Sequence, residues 1–114
     1  SSKPSGETSA QVSARVTRAR DIQTARFSAL SAPEKMRVNA HAEGKILEQI
    51  APLDESAEKM MKQAAEKLKL SARSWYRMLR VARTIADLDG APDILGTRHV
   101  AEALSYRRLR LADL

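Results

Sequence analysis

Arginine is the residue type whose placement in this chain most invites chemistry. Arg73, Arg77 and Arg80 recur at i, i+4 and i+7 within SARSWYRMLR, so a helix would put all three on one face. A guanidinium is permanently charged and can grip a phosphate through two parallel N–H bonds. The other chemically able side chains are poorly arranged. His41 and His99 have no partner four residues away, and the chain has no cysteine. Neither a thiolate site nor a disulfide is available, and no metal ligand set is expected. No serine has a candidate base beside it. Gly6, Gly44, Gly90 and Gly96 stand apart from one another, so no Gly-rich GxxxxGK[ST] loop cradles a triphosphate. The chain is not expected to be a catalyst by itself.

Those arginines need a helix to hold them, and the pattern supplies one. Trp75, Met78, Leu79, Ala82, Ile85 and Ala86 fall on one continuous arc, opposite Arg73, Arg77, Arg80 and Thr84. Ser71 is placed to cap the start and Gly90 to stop the end, which predicts a helix over residues 72–88. Before it, Asp54 is an N-cap candidate for a helix over 55–69. Glu55 and Glu58 lie in its first turn and Lys67 and Lys69 near its end, as the helix dipole favours. Its apolar face is Ala57, Met60, Met61, Ala64, Ala65 and Leu68. A short helix over 43–50 with Ile46, Leu47 and Ile50 inward ends at Pro52. Thr97 is placed to cap a last helix over 98–109, whose apolar positions are Val100, Ala101, Leu104 and Leu109. A first helix over 9–30 rests on a thin stripe of Val12, Val16, Ala19, Ile22 and Phe27. Residues 31–42, with Pro33 and Asn39, read as a loop. Arg83 and Asp87 read as a surface i, i+4 pair.

The expected fold is all-α, a compact bundle of about five helices. Residues 1–8 read as a disordered polar linker, 9–110 as the helical domain and 111–114 as a tail. The 114 residues suit one domain. Hydrophobic residues are 43% but aromatics only 4%, so the core must come from aliphatic side chains, methionine and many alanines. The net charge of +6 is spread evenly. Residues 1–52 hold 8 basic and 5 acidic side chains and residues 53–114 hold 12 and 9, or +3 in each half. Such a balance permits phosphate or nucleic-acid partners without specifying them, and an acidic neighbouring domain would suit it as well. No apolar run approaches the roughly 20 residues that span a bilayer, and no signal peptide opens the chain. A cytoplasmic location is expected.

The segment over residues 64–86 supports two further readings from its residues alone. AAEKLKLSARSWYRMLR can be a helix-turn-helix across residues 55–88, with Arg73, Arg77 and Arg80 facing a DNA groove. The turn position that glycine often fills is Lys69 here, at a left-handed cost of about 1 kcal/mol, and the second helix is long for a recognition helix. Alternatively, the three arginines are only a solvated face. Trp75 and Tyr76 read as packing residues rather than base-stacking ones.

A resemblance adds a third reading. LSARSWYRMLRVARTIADLDG, followed after a short loop by HVAEALSYRRL, resembles the C-terminal segment of the magnesium-chelatase family of AAA+ ATPases. It is nearer the bacterial competence-protein branch of that family than true chelatase subunits. Upstream, SARVTRARDIQTARF is similar to the helix after the family's nucleotide-binding core, and APLDESAEKMMKQAAEKLKL to its next lid helices. The resemblance covers about residues 7–109 and is most specific over 70–89. It implies an AAA+ lid domain in which Arg73, within Ser71-Ala72-Arg73, senses the terminal phosphate of ATP. Arg77 and Arg80 are not assigned by it. It also implies that the P-loop and the acidic magnesium-holding motifs lie outside this chain. ATP with magnesium would then be a cofactor of the full-length protein. The implied partners are an AAA+ core domain of the same chain and other copies in a hexameric ring. That ring would work on DNA in recombination or natural transformation rather than insert magnesium into a porphyrin.

Overall fold

The computed structural model describes residues 8–29 and 44–112, with side chains as far as Tyr106. Five helices follow one another: α1 Ser9–Ala29, α2 Gly44–Ile50, α3 Glu55–Leu68, α4 Ala72–Leu88 and α5 Thr97–Ala112. The expected all-α bundle is thus observed. Among the described residues there is no strand, only an isolated bridge between Leu53 and Leu95. The expected loop over 31–42, with His41, lies outside the described residues, as does the expected linker over 1–8 except for Thr8. The last helix reaches Ala112 and overruns the expected tail at residue 111.

The helix ends follow from their caps. Asp54 Oδ1 accepts the Ala57 N–H at 2.7 Å, and Ser71 Oγ accepts the Ser74 N–H at 3.1 Å. Each such cap contributes about 1 kcal/mol. After α3 the chain turns through Lys69, left-handed at φ 54° and ψ 52°. The Leu70 N–H then reaches the Ala65 carbonyl at 2.9 Å, closing a Schellman turn. After α4, Gly90 takes φ +89° and the Ala91 N–H reaches the Ala86 carbonyl at 2.8 Å. Thr8 and Gln11 form a capping box at the head of α1. The Gln11 N–H donates to Thr8 Oγ1 at 3.1 Å and the Thr8 N–H donates to Gln11 Oε1 at 2.8 Å.

The core is small and rich in alanine. Phe27, Leu47, Met61, Leu95 and Val100 are fully buried, together with Ala57, Ala82, Ala86 and Ala103. Alanines at these positions let α4 lie close to α1, α2 and α5, while α3 rests mainly on α5. Trp75 is half-buried and packs against the core edge with Tyr76. The expected face of α4 is the observed one, since Met78, Leu79, Ala82 and Ala86 are buried.

The stripe of α1 is shifted. Its buried residues are Ala19, Gln23 and Phe27, whereas Val16 is 44% and Ile22 38% exposed. The inward face follows Ala19, Gln23 and Phe27 at i, i+4 and i+8, which leaves Ile22 off it. Two expectations on α5 are corrected. The residue before the first helical residue is Gly96, so Thr97 lies inside the helix and does not cap it. Ala101 is exposed, and Ala103 takes the inward place.

Candidate functional site

Helix α4 carries four described arginines, and the fold divides them. Arg83 is buried at 1% exposure and Asp87 at 4%, which corrects the expectation of a surface pair. Arg83 Nε lies 3.1 Å from Asp87 Oδ1. Its Nη1 donates to the Ile50 carbonyl at 2.9 Å and its Nη2 to the Pro92 carbonyl at 2.6 Å. One guanidinium therefore joins the end of α2, the α4–α5 connection and its own helix. Burial pushes its pKa below the ordinary arginine value, while Asp87 opposes the shift. Asp87 is shared. Arg26 of α1 donates Nη1 to Asp87 Oδ2 at 3.0 Å and Nη2 to Asp87 Oδ1 at 2.6 Å, a bidentate clamp between α1 and α4. Spacing alone hid this cluster, because an i, i+4 pair reads identically on a surface and in a core. Arg26 is 61 positions away from Asp87.

Arg73, Arg77 and Arg80 lie together on the other side of α4. They border an open groove of about 540 Å³ whose remaining lining is Val81, Thr84, Ile85, Leu88 and, from α5, Tyr106. A neighbouring hollow of about 370 Å³ is lined by Arg73 and Arg80 with Gly44 and Tyr76. The Tyr76 hydroxyl donates to Glu48 Oε1 at 3.0 Å, and that bond raises the phenol pKa. Among the described residues, no acidic side chain lines either hollow. Arg73 is exposed in the first turn of α4, where no acidic residue stands. The free N–H groups of a helix start carry partial positive charge, so the guanidinium and the helix end act on an anion in the same sense. The site thus groups the three arginines that the sequence singled out. It adds Tyr106, Val81 and Leu88, which the sequence reading left unassigned, and Ile85, which that reading placed on the opposite, apolar arc.

His99 belongs elsewhere. It is buried rather than surface-exposed, and its Nδ1 accepts the Gly96 N–H at 3.1 Å. His99 thus fills the third helical position of α5 and reaches back to the residue before the helix, as a capping-box side chain does. Its Nε2 lies 3.4 Å from Asp89 Oδ2, and Arg98 also pairs with that oxygen. Burial first, then the nearby Arg98 and Arg83, lower its pKa below the ordinary 6.5. Among the described residues no group of three or more His, Asp or Glu side chains could hold a metal ion. No described helix is long and apolar enough to cross a membrane.

Comparison with known proteins gives a consistent picture. The family described as "Magnesium chelatase, subunit ChlI C-terminal" matches residues 6–107. The chain is similar to "Competence protein ComM" of Haemophilus influenzae, 39% identical over 104 residues, which is 91% of this chain and 19% of that protein. It is also similar to proteins named "Uncharacterized protein YifB" from Salmonella typhimurium and Escherichia coli. Each is 36% identical over 104 residues, again 91% of this chain and 19% of the relative. The chain spans about a fifth of the length of these relatives.

Proposed function

Because this chain belongs to the magnesium chelatase subunit ChlI C-terminal family, we propose that it acts as the lid of a ring-forming AAA+ ATPase in which Arg73 senses the terminal phosphate of ATP. The observation that carries this reading is the position of Arg73. It stands exposed at the start of α4, on a groove whose described lining holds three arginines and no carboxylate. Guanidiniums fit phosphate oxygens. The same lining does not fit magnesium, which takes oxygen ligands, so a core domain outside this chain would hold the metal and most of the nucleotide.

The chain's own part is contact and leverage. Arg73 meets the phosphate. The buried Arg26–Asp87–Arg83 cluster ties α4 to α1 and to the α4–α5 connection, so a displacement at the head of α4 moves the bundle as one piece. Gain or loss of the phosphate then becomes a rotation of the lid against the core. Similarity to a protein named for competence supports DNA as the material on which the complete hexameric motor works. The test is the ATPase rate of full-length protein bearing Arg73→Ala. A phosphate bond formed mainly in the hydrolysis-competent state predicts turnover reduced by roughly 10- to 100-fold with a smaller loss of ATP binding. Normal turnover would remove the sensing role.

One observation favours the helix-turn-helix alternative: the tight turn through Lys69 is present between α3 and α4. Sequence-selective duplex binding that survives high salt and is lost in Arg77→Ala would establish that reading.

A further inference from the structure

Two helices meet at the smaller hollow, and a side-chain bond joins them beside it. Gly44, the first residue of α2, lines one wall, and Arg73, Tyr76 and Arg80 of α4 line the other. Arg73, Tyr76 and Arg80 stand at i, i+3 and i+7, so one face of α4 carries all three, and Glu48 lies one turn beyond Gly44 on α2. The Tyr76 hydroxyl donates to Glu48 Oε1 at 3.0 Å. A second link lies two turns further along α4, where Arg83 Nη1 donates to the Ile50 carbonyl at 2.9 Å. Leu47 and Ile50 are buried, so the end of α2 is fixed in the core. Its start is less embedded. Gly44 and Lys45 are exposed, and a Cβ added at Gly44 would meet nothing within 4 Å. Seven residues make α2 about 10 Å long. A small tilt about its fixed end therefore moves Gly44 towards or away from Arg73.

We propose that Tyr76 is a positioning residue for the Arg73 phosphate sensor, with Glu48 as its anchor. Their bond sets the separation of α2 from the first turns of α4, and with it the width of the hollow that Arg73 borders. This rests on the phosphate-sensing reading of Arg73 and goes beyond it by giving α2 a part. Tyr76 acts through Arg73 and not on the nucleotide. It follows Arg73 by three residues, within one helical turn, so a shift of α4 against α2 at Tyr76 also displaces Arg73. Turnover depends steeply on such placement, and a misplacement of about 1 Å can lower it by about 100-fold. The hydrogen bond to Glu48, and then the charge of Glu48, raise the phenol pKa above the ordinary 10.0, so the hydroxyl stays a donor through neutral and mildly alkaline pH.

The experiment tests the bond and its consequence separately. In this chain, NMR titration of the Tyr76 ring is expected to give a phenol pKa above 10.0 that falls towards that value in Glu48→Ala. In the full-length protein, Tyr76→Phe and Glu48→Ala are each expected to lower ATPase kcat by about threefold to tenfold, with KM for ATP changed by less than about twofold. Glu48→Gln keeps an acceptor oxygen and is expected to recover most of the loss. Adding Tyr76→Phe to Arg73→Ala is expected to lower turnover no further, because residues that act as a unit are not additive. A phenol that titrates at the ordinary value and ignores Glu48→Ala would overturn the bond itself. Normal turnover in Tyr76→Phe, beside lowered turnover in Arg73→Ala, would overturn the positioning role and leave the sensor standing. A double variant in which the two single losses multiply would overturn it likewise. Normal turnover in Arg73→Ala would remove the sensor and this inference together.

Discussion

Helix α4 uses one side chain in two opposite ways. Arg83 is held within the fold by a carboxylate, the end of α2 and the connection to α5. Arg73 and Arg77 are exposed and border open space, and no described carboxylate lines it. The starts of α3 and α4 differ in the same sense. Helix α3 opens with Asp54, Glu55 and Glu58 against its positive end, whereas α4 opens with Ser71 and Arg73. One start is electrostatically complete within the chain, and the other adds positive charge to positive charge. The lesson is that completeness marks structure and incompleteness marks a place for a partner. The buried arginine should matter for folding and little for ligands, and the open ones the reverse.

The sharpest way to break that comparison is to remove the buried cluster. Arg83→Met leaves the Ile50 and Pro92 carbonyls without their donor, and Asp87→Ala leaves Arg26 and Arg83 without their shared carboxylate. Each should cost about 3–5 kcal/mol in denaturant unfolding, the range for splitting a buried ion pair. A loss below about 1 kcal/mol would show that Arg83 is no more structural than Arg73. Trp75→Ala should cost about 2 kcal/mol, less than for a fully buried tryptophan, because the ring is only half-covered by the core.

His99 sharpens the contrast through pH. Its folded pKa lies below the ordinary 6.5, and its Nδ1 is occupied by the Gly96 N–H. Between those two pKa values the unfolded chain binds the extra proton, so stability is full above about pH 6.5 and falls as pH is lowered through the window beneath it. The slope cannot exceed about 1.4 kcal/mol per pH unit for one group. Chemical unfolding at pH 7.5 and 5.5 should show the loss, and His99→Gln should remove most of it. Smaller still is Lys69→Gly, which relieves a left-handed lysine. It should raise stability by about 0.5–1 kcal/mol after the extra flexibility of glycine in the unfolded chain is counted, read as a higher Tm.

What the sequence made legible follows the same division. Strong local signals carried over. The apolar arc of α4, the caps at Asp54 and Ser71 and the stop at Gly90 each involve residues within a few positions of one another, and all are present. The capping box of Thr8 and Gln11 has the same short i, i+3 spacing, but the sequence reading placed Thr8 in the linker and did not use it. The clamp on Asp87 was not readable, because it depends on Arg26 arriving from another helix. Gln23 misled in the same way, since a buried amide looks polar until its neighbours are known. At the site, the arginine row was visible from its period. The apolar part of the groove lining became visible only once Tyr106 of α5 was set beside Val81 and Leu88, with Ile85 at the edge of the arc already read.

The comparison comes to a point in one pair of numbers for Arg73→Ala: the unfolding free energy of this chain and the ATPase turnover of the full-length protein. Exposed substitutions away from caps and buried pairs change stability by no more than about 0.5 kcal/mol. The account therefore predicts an unfolding free energy within that margin of the unsubstituted chain, together with turnover lowered by roughly 10- to 100-fold. Normal turnover in a stably folded variant would contradict it and return Arg73 to the status of a solvated arginine.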